Sequence, residues 1–263
     1  MEIIIIIFGL IIGSFLNVLI YRLPRKIPFS KGRSFCPNCK KKIFWFDNIP
    51  LLSFIILKGK CRNCRKNISP RYPIVELVTG LLTILIFNQF FPPIAGTRPI
   101  IDLVLTLLIS WSLIVVFFID IDFQIIPDEI LVFQIIILSL GYIIGFIFFP
   151  GQSFFDVIFF PIIAGIGSFI FLFLIFYFTK GRGMGFGDVK YAFVMGYFLG
   201  FPKAVLSFYL AFLTGAFIGI ILIINGKAKF GQKIPFGPFL ALSTFICSLW
   251  GDGILKTALK LLF

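Results

Sequence analysis

The sequence predicts an all-α polytopic membrane protein of about eight transmembrane helices with one small basic loop domain. Three observations predict it. Of 263 residues, 59% are hydrophobic and 13% charged, which leaves more apolar area than a water-soluble globule can hide. Apolar runs long enough to cross a bilayer recur from end to end. The basic residues are also concentrated: between residues 22 and 71, fourteen Lys or Arg face a single acid, Asp47.

The first run, Ile3 to Ile20, is followed by Arg22 and has no small-residue cleavage site, so residues 1–21 read as a retained first transmembrane helix. Gly13 and Ser14 are small enough for another helix to approach closely. Asn17, a polar group inside this run, is expected to make an interhelical hydrogen bond. Residues 22–71 form the polar segment. The remaining runs fall within 72–263: Tyr72 to Phe91 (apolar except Glu76), Ile101 to Ile119 after a turn at Pro92-Pro93, Ile130 to Phe149, and Phe155 to Thr179. Val189 to Leu199 follows and is short, about 16 Å at helical rise. Ala204 to Asn225 and Ile234 to Trp250 complete the set. The tail, Asp252 to Phe263, carries Lys256 and Lys260 four apart and reads as an interfacial helix.

The polar segment contains Cys36-Pro37-Asn38-Cys39 and Cys61-Arg62-Asn63-Cys64, separated by 21 residues, just beyond the usual zinc-ribbon spacing. Four thiolates suit tetrahedral zinc, and Lys and Arg around them favour the ionised form. Cys36, Cys39, Cys61 and Cys64 are therefore expected to form a closed structural zinc site. Excess Lys and Arg mark this segment as cytoplasmic and make anionic lipid, rather than nucleic acid, its simpler partner. Disulfides are disfavoured there.

Threading the runs from a cytoplasmic basic loop puts the N-terminus outside. It places 120–129, 180–188 (with Lys180 and Arg182) and 226–233 (with Lys227, Lys229 and Lys233) inside. The turns at 92–100 (with Arg98), 150–153 and 200–203 fall outside. Both acidic motifs then lie on the cytoplasmic side.

The chain has no histidine, which removes Ser-His-Asp and Cys-His triads and HExxH zinc proteases. Chemistry must rest on carboxylates, Lys, Ser, Cys, Tyr or a cofactor. Two acidic motifs stand out. Asp120 and Asp122 end one apolar run, and Pro127, Asp128 and Glu129 open the next, with Pro127 suited to its first turn and the two acids to its positive dipole end. Asp188 follows the glycine-rich stretch Gly181, Gly183, Gly185, Gly187 and precedes Lys190. An ionisable residue at a membrane segment is a functional-site hypothesis by default. Glycine allows close backbone approach, so a substrate main chain could lie beside Asp188. The plain structural alternative is a turn in which Asp188 pairs with Lys190 or Arg182. Two facing carboxylates share a proton, and the ionised one can activate water against a carbonyl polarised by the other.

These residues resemble the type IV prepilin peptidase family, membrane aspartic proteases of the GxGD kind. The resemblance runs through GSFLNVLIYRLP at 13–24, both CxxC pairs, Asn48 to Ser53, Ile68 to Leu77, IDIDFQIIPD at 119–128, GMGFGDVK at 183–190, and Pro235 to Ala241. It implies that Asp120 and Asp188 are the catalytic pair and that Gly185, Gly187 and Lys190 support substrate. On this view 72–263 is the protease domain in the bacterial inner membrane. It implies cleavage of a short basic leader from prepilins or pseudopilins at the cytoplasmic face, after a Gly and commonly before a Phe. It further implies N-methylation of the new N-terminus with S-adenosylmethionine. Spacing assigns no residues to that donor. The acids around Asp120 and Asp128 are candidates to receive the basic leader. The competing reading is a transporter or channel using Asp120 and Asp188 as a cation or proton relay; a third is an assembly scaffold without chemistry.

Overall fold

The computed structural model describes residues 2–30, 32–91, 99–149, 153–227 and 234–262. These form α1 (Glu2–Arg22), α2 (Leu52–Ile56), α3 (Arg71–Phe90), α4 (Pro99–Phe123), α5 (Asp128–Phe148), α6 (Phe160–Phe178), α7 (Phe186–Leu199), α8 (Lys203–Ile224) and α9 (Gly237–Leu262). A single π-helical turn, Phe155–Phe159, leads into α6. Seven of the helical segments are long and apolar enough to cross a membrane. The eighth expected crossing is α7, whose 14 residues rise about 21 Å, short of the roughly 30 Å hydrocarbon core. The chain divides into two compact units, Met1–Ile94 and Ala95–Phe263.

In the first unit α1 packs along α3, and small residues set how closely. A Cβ on Gly13 would lie 2.7 Å from the Glu76 Cα, and one on Gly9 2.8 Å from the Gly80 Cα. Any side chain there would push the helices apart. Asn17 makes the expected interhelical bond, its Nδ2 donating to the Tyr72 carbonyl at 3.0 Å. The polar loop between the helices carries α2, a 3₁₀ turn at Trp45–Asn48, and two isolated antiparallel bridges, Phe35 with Lys42 and Lys60 with Asn67.

In the second unit α4 packs against α5 and α9, while α7 packs against α5, α6, α8 and α9. The α6–α7 contact depends on Gly196, where a Cβ would sit 2.4 Å from the Ala164 carbonyl oxygen. Polar side chains turn inward and find one another, because hydrocarbon offers them nothing. Gln134 donates to Ser112 at 2.7 Å, linking α5 to α4. Tyr142 donates to the Tyr197 carbonyl at 2.9 Å, linking α5 to α7, and Tyr191 donates to Thr244 at 2.9 Å, linking α7 to α9. The Ser207 and Ser243 hydroxyls, 2.8 Å apart, join α8 to α9. Large apolar side chains such as Ile147, Phe178 and Ile224 point outward. That inside-out distribution is what lipid as solvent requires.

Two expectations change. The tail is not a separate interfacial helix: α9 runs unbroken for 26 residues through Asp252, Lys256 and Lys260. No proline interrupts it after its first turn, and Asp252 is tied to Lys203 at the start of α8 by an ion pair of 2.7 Å. Pro127 lies just before α5 rather than within its first turn. It has extended ψ (132°), so the helix starts at Asp128. The turns expected at 92–98 (with Pro92-Pro93 and Arg98) and 150–152, and the loop 228–233 with Lys229 and Lys233, lie outside the described residues.

Candidate active site and cysteine cluster

Asp120 sits near the C-terminal end of α4, where its neighbour Ile119 and the preceding turn, Val115 and Val116, are fully buried. The helix face that buries those side chains carries the carboxylate in with them, and Asp120 is 4% exposed. Its Oδ2 accepts the backbone N–H of Gly237 at 2.9 Å. Gly237 is the first residue of α9, so this N–H belongs to a helix start, where backbone donors lack an intrahelical acceptor and the dipole end is positive. A Cβ on Gly237 would lie 2.7 Å from the same Oδ2. Only glycine fits against the acid there.

Asp188 is the third residue of α7 and is 6% exposed. Its Oδ2 accepts the N–H of Gly185, the N-cap residue, at 3.0 Å. This is the side-chain half of a capping box, and it fixes the carboxylate at the helix entry. Gly187 lets that entry press on the α4–α5 connection, since a Cβ on it would be 3.3 Å from the Ile126 Cβ.

Asp120 and Asp188 lie near enough for a charge on one carboxylate to be felt at the other. Neither has a Lys or Arg ion partner among the described residues. The pairing of Asp188 with Lys190 or Arg182 weighed in the sequence is absent. Lys190 instead forms an ion pair with Asp128 at the start of α5. Asp122, Asp128 and Glu129 are exposed. The structure therefore brings together Asp120 and Asp188, flanks Asp188 with Gly185 and Gly187, and turns Lys190 to a bracing contact between α7 and α5. The residue whose role sequence reasoning missed is Gly237. Its signal was present in Pro235-Phe236-Gly237-Pro238, a glycine followed by proline at a helix entry, where a free N–H is available.

The four cysteines of the first unit also converge. The sulfurs of Cys36, Cys39, Cys61 and Cys64 all lie within 4.8 Å of one another and could hold a metal ion. Two loops of the same design present them. In the first, Cys36 N–H bonds to the Lys41 carbonyl and Lys40 N–H returns to the Cys36 carbonyl. In the second, Cys61 N–H bonds to Lys66 and Arg65 N–H returns to Cys61. Each loop turns on a non-glycine residue in the left-handed region, Lys40 (φ 60°) and Arg65 (φ 58°). Burial pushes the Cys36 thiol up to about 11, while the backbone N–H of Cys64 draws the Cys61 thiol down to about 7.

Fold and site together define a multi-pass membrane protein with a buried pair of carboxylates at helix entries and ends. Residues 7–90 match the bacterial peptidase A24 N-terminal domain, and residues 107–220 match the type IV leader peptidase family. The prepilin leader peptidase/N-methyltransferase of Aeromonas hydrophila is 34% identical over 95% of this chain and 90% of its own length. That of Pseudomonas aeruginosa is 35% identical over 97% and 92%, and that of Bacillus subtilis 34% over 98% of both. The chain belongs to the type IV leader peptidase family. No solved structure matches it.

Proposed function

We propose that this chain cleaves the basic leader from type IV prepilins or pseudopilins, using water activated between Asp120 and Asp188, and N-methylates the new N-terminus. The observation that carries the reading is the buried pair itself: two carboxylates from separate helices, near enough for a charge on one to be felt at the other, each held by one glycine N–H. Two such groups share one proton. The ionised one takes a proton from water as that water attacks the scissile carbonyl; the protonated one polarises the carbonyl and then protonates the departing amine. The backbone N–H groups of Gly237 and Gly185 hold the acids in place while charge moves between them. Gly185, Gly187 and Lys190 act in support, the glycines by keeping the approach to Asp188 free of side chains and Lys190 by bracing α7 against α5. A prepilin carries an apolar helix just after its cleavage point, which suits a membrane-embedded site. The cation-relay reading is not favoured, since full-length relatives carry enzyme names.

The cysteine cluster fits structural zinc. Zn–S bonds of about 2.3 Å at tetrahedral angles set sulfurs about 3.8 Å apart, and Cys36 and Cys64 sulfurs stand 3.9 Å apart. All four ligand positions would come from Cys36, Cys39, Cys61 and Cys64, which leaves no open position for chemistry. Bound there, zinc would supply a crosslink for a loop with little apolar core of its own. S-adenosylmethionine would supply an electrophilic methyl group. In function the chain divides into a first helix (1–21), a zinc loop (22–71) and a protease domain (72–263). It lies in the inner membrane with its N-terminus outside and the loop and acid pair cytoplasmic, and anionic lipid meets the basic loop.

Mass spectrometry of a candidate prepilin incubated with the purified chain, with and without S-adenosylmethionine, tests this. The expected result is one cleavage after Gly, plus a methyl group only when the donor is present. An intact prepilin in the presence of correctly folded, zinc-loaded chain defeats the peptidase reading.

A further inference from the structure

The loop between α1 and α3 carries an apolar face turned the wrong way for water. α2 is five residues long, too short to persist without support. Its Leu52, Ile55 and Ile56 share one side at i, i+3 and i+4, and all three are exposed, Ile56 to 72%. The polar residue of the same turn, Ser53, is the one turned in, and its Oγ donates to the Phe46 carbonyl at 2.9 Å. Apolar side outward and hydroxyl inward is the pattern that lipid selects.

That bond ties α2 to the 3₁₀ turn Trp45–Asn48, which carries more surface of the same kind. Phe44, Trp45 and Phe46 are exposed, Trp45 to 74%. Their rings pack on one another: Phe44 and Phe46 stack at 5.3 Å, and Trp45 meets Phe46 edge-on at 5.7 Å. Trp and Phe flanked by Lys are the residues that settle at a membrane–water boundary.

The face is also at the right height. Leu51, just before α2, donates its N–H to Glu76 Oε2 at 2.9 Å. Glu76 lies five residues past Arg71, about 7.5 Å along α3, a helix long and apolar enough to cross a membrane. α2 is therefore pinned beside the entry of a spanning helix, at the depth where interfacial helices bury their apolar side.

Cations rim this surface. Lys58 and Lys60 follow α2, and Lys41 and Lys42 precede Phe44; all four are exposed, and none is in an ion pair among the described residues. Fourteen Lys or Arg against one acid between residues 22 and 71 select the occupant. A second copy of the chain would bring the same positive charge, and a prepilin would bring a basic leader. An anionic leaflet brings the opposite sign.

We propose that α2 and the Trp45 turn sit in the headgroup–acyl boundary of an anionic leaflet, with these lysines at its phosphates. The proposal rests on the reading that anionic lipid meets the basic loop, and adds an inserted apolar face to it. The cysteine loops are then moored to the bilayer at a third place besides α1 and α3.

The test reconstitutes the full chain in vesicles of phosphatidylcholine and phosphatidylglycerol, with Trp45 left as its sole tryptophan by Trp111→Phe and Trp250→Phe. Brominated acyl chains quench tryptophan on contact; iodide does so from water. Trp45 emission is expected to fall about twofold or more with brominated lipid and by less than about a fifth with iodide. Ile55→Asp with Ile56→Asp, at positions where an aqueous surface tolerates charge, is expected to reverse that order with zinc content unchanged. Should the tryptophan replacements disturb folding, the wild-type chain gives the same quantity as the quenching lost in Trp45→Phe.

Trp45 quenched by iodide and not by brominated lipid overturns the proposal. So does Trp45 shielded from both, which means a second copy covers the face, or shielded only once prepilin is added. Lipid quenching that survives both aspartates overturns it as well. Acylation of Lys58 and Lys60 by a water-soluble reagent separates this proposal from the reading beneath it. Acylation slowed by phosphatidylglycerol, with Trp45 unquenched by lipid, removes the inserted face and leaves anionic lipid at the loop. Acylation at the same rate with and without phosphatidylglycerol removes both.

Discussion

Residues 1–94 and 95–263 both gather polar side chains among apolar helices, but by different means. In the first unit the cysteines arrive in two short loops of like design, each closed by its own backbone hydrogen bonds, so the geometry is local and repeats. In the second unit Asp120 and Asp188 come from helices far apart in sequence and meet only because α4, α7 and α9 pack as they do. Each acid then rests on a glycine N–H rather than on a cation. A loop that depends on metal can lose its ion without moving a helix. A site built from helix packing is disturbed by any change that shifts a helix against its neighbour.

The largest expected effect probes the acid pair. Asp188→Asn or Asp120→Asn should lower prepilin cleavage by about 1,000-fold or more, measured as kcat/KM in detergent. Zinc content should stay at wild-type stoichiometry, since the cysteine loops close on themselves. Zinc lost along with activity would erase the contrast between the units. Next comes Gly237→Ala. The added methyl would sit 2.7 Å from Asp120 Oδ2, so the acid or the start of α9 must shift. A loss of about 10- to 100-fold in kcat with little change in KM is expected for a misplaced catalytic group; wild-type kcat would mean that Asp120 does not need this bond.

Chelation of the metal, or Cys36→Ser, should lower the thermal midpoint of the first unit and expose the thiols to alkylation. The readouts are loss of zinc by elemental analysis and new maleimide labelling at Cys39, Cys61 and Cys64. If the thiols stay protected after the metal is gone, the loops hold by themselves. The smallest effect is reserved for Lys190→Met. Its ion pair with Asp128 is largely exposed, the Asp128 side chain being 68% accessible. Such pairs contribute about 1 kcal/mol or less, so cleavage should fall by less than about fivefold. A much larger loss would move Lys190 from bracing into direct contact with substrate.

The same contrast explains what could be read from the sequence. Cys36, Cys39, Cys61 and Cys64 were legible because a metal site made of two turns writes its spacing into the chain. The apolar runs were legible for the same reason, each being a local property. Asp120 and Asp188 could be picked out as acids at the ends of such runs, but their meeting is a matter of helix packing, which no spacing of 68 positions reveals. The Gly237-Pro238 pair marked a helix entry, but the partner of its N–H was hidden, because what suits Gly237 is the space it leaves beside Asp120. The unbroken α9 was missed because the apolar run stops at Trp250 and the residues after it carry charges. The clamp from Lys203 to Asp252 is a contact between distant residues. The Oδ1 of Asn17, buried without a hydrogen-bond partner, was equally invisible, since composition records an amide but not which of its atoms remains unmet.

α9 touches the acid pair through its first residue and is fastened to α8 through its sixteenth. Fifteen residues of helix make a rod about 22 Å long between those two points. Sliding or tilting the rod at the Lys203–Asp252 end would be felt at Asp120 as a change in where its backbone donor stands. Conditions that loosen the far anchor, such as substitution of Asp252 or a bilayer of unsuitable thickness, could therefore detune hydrolysis from a distance without touching an active-site atom.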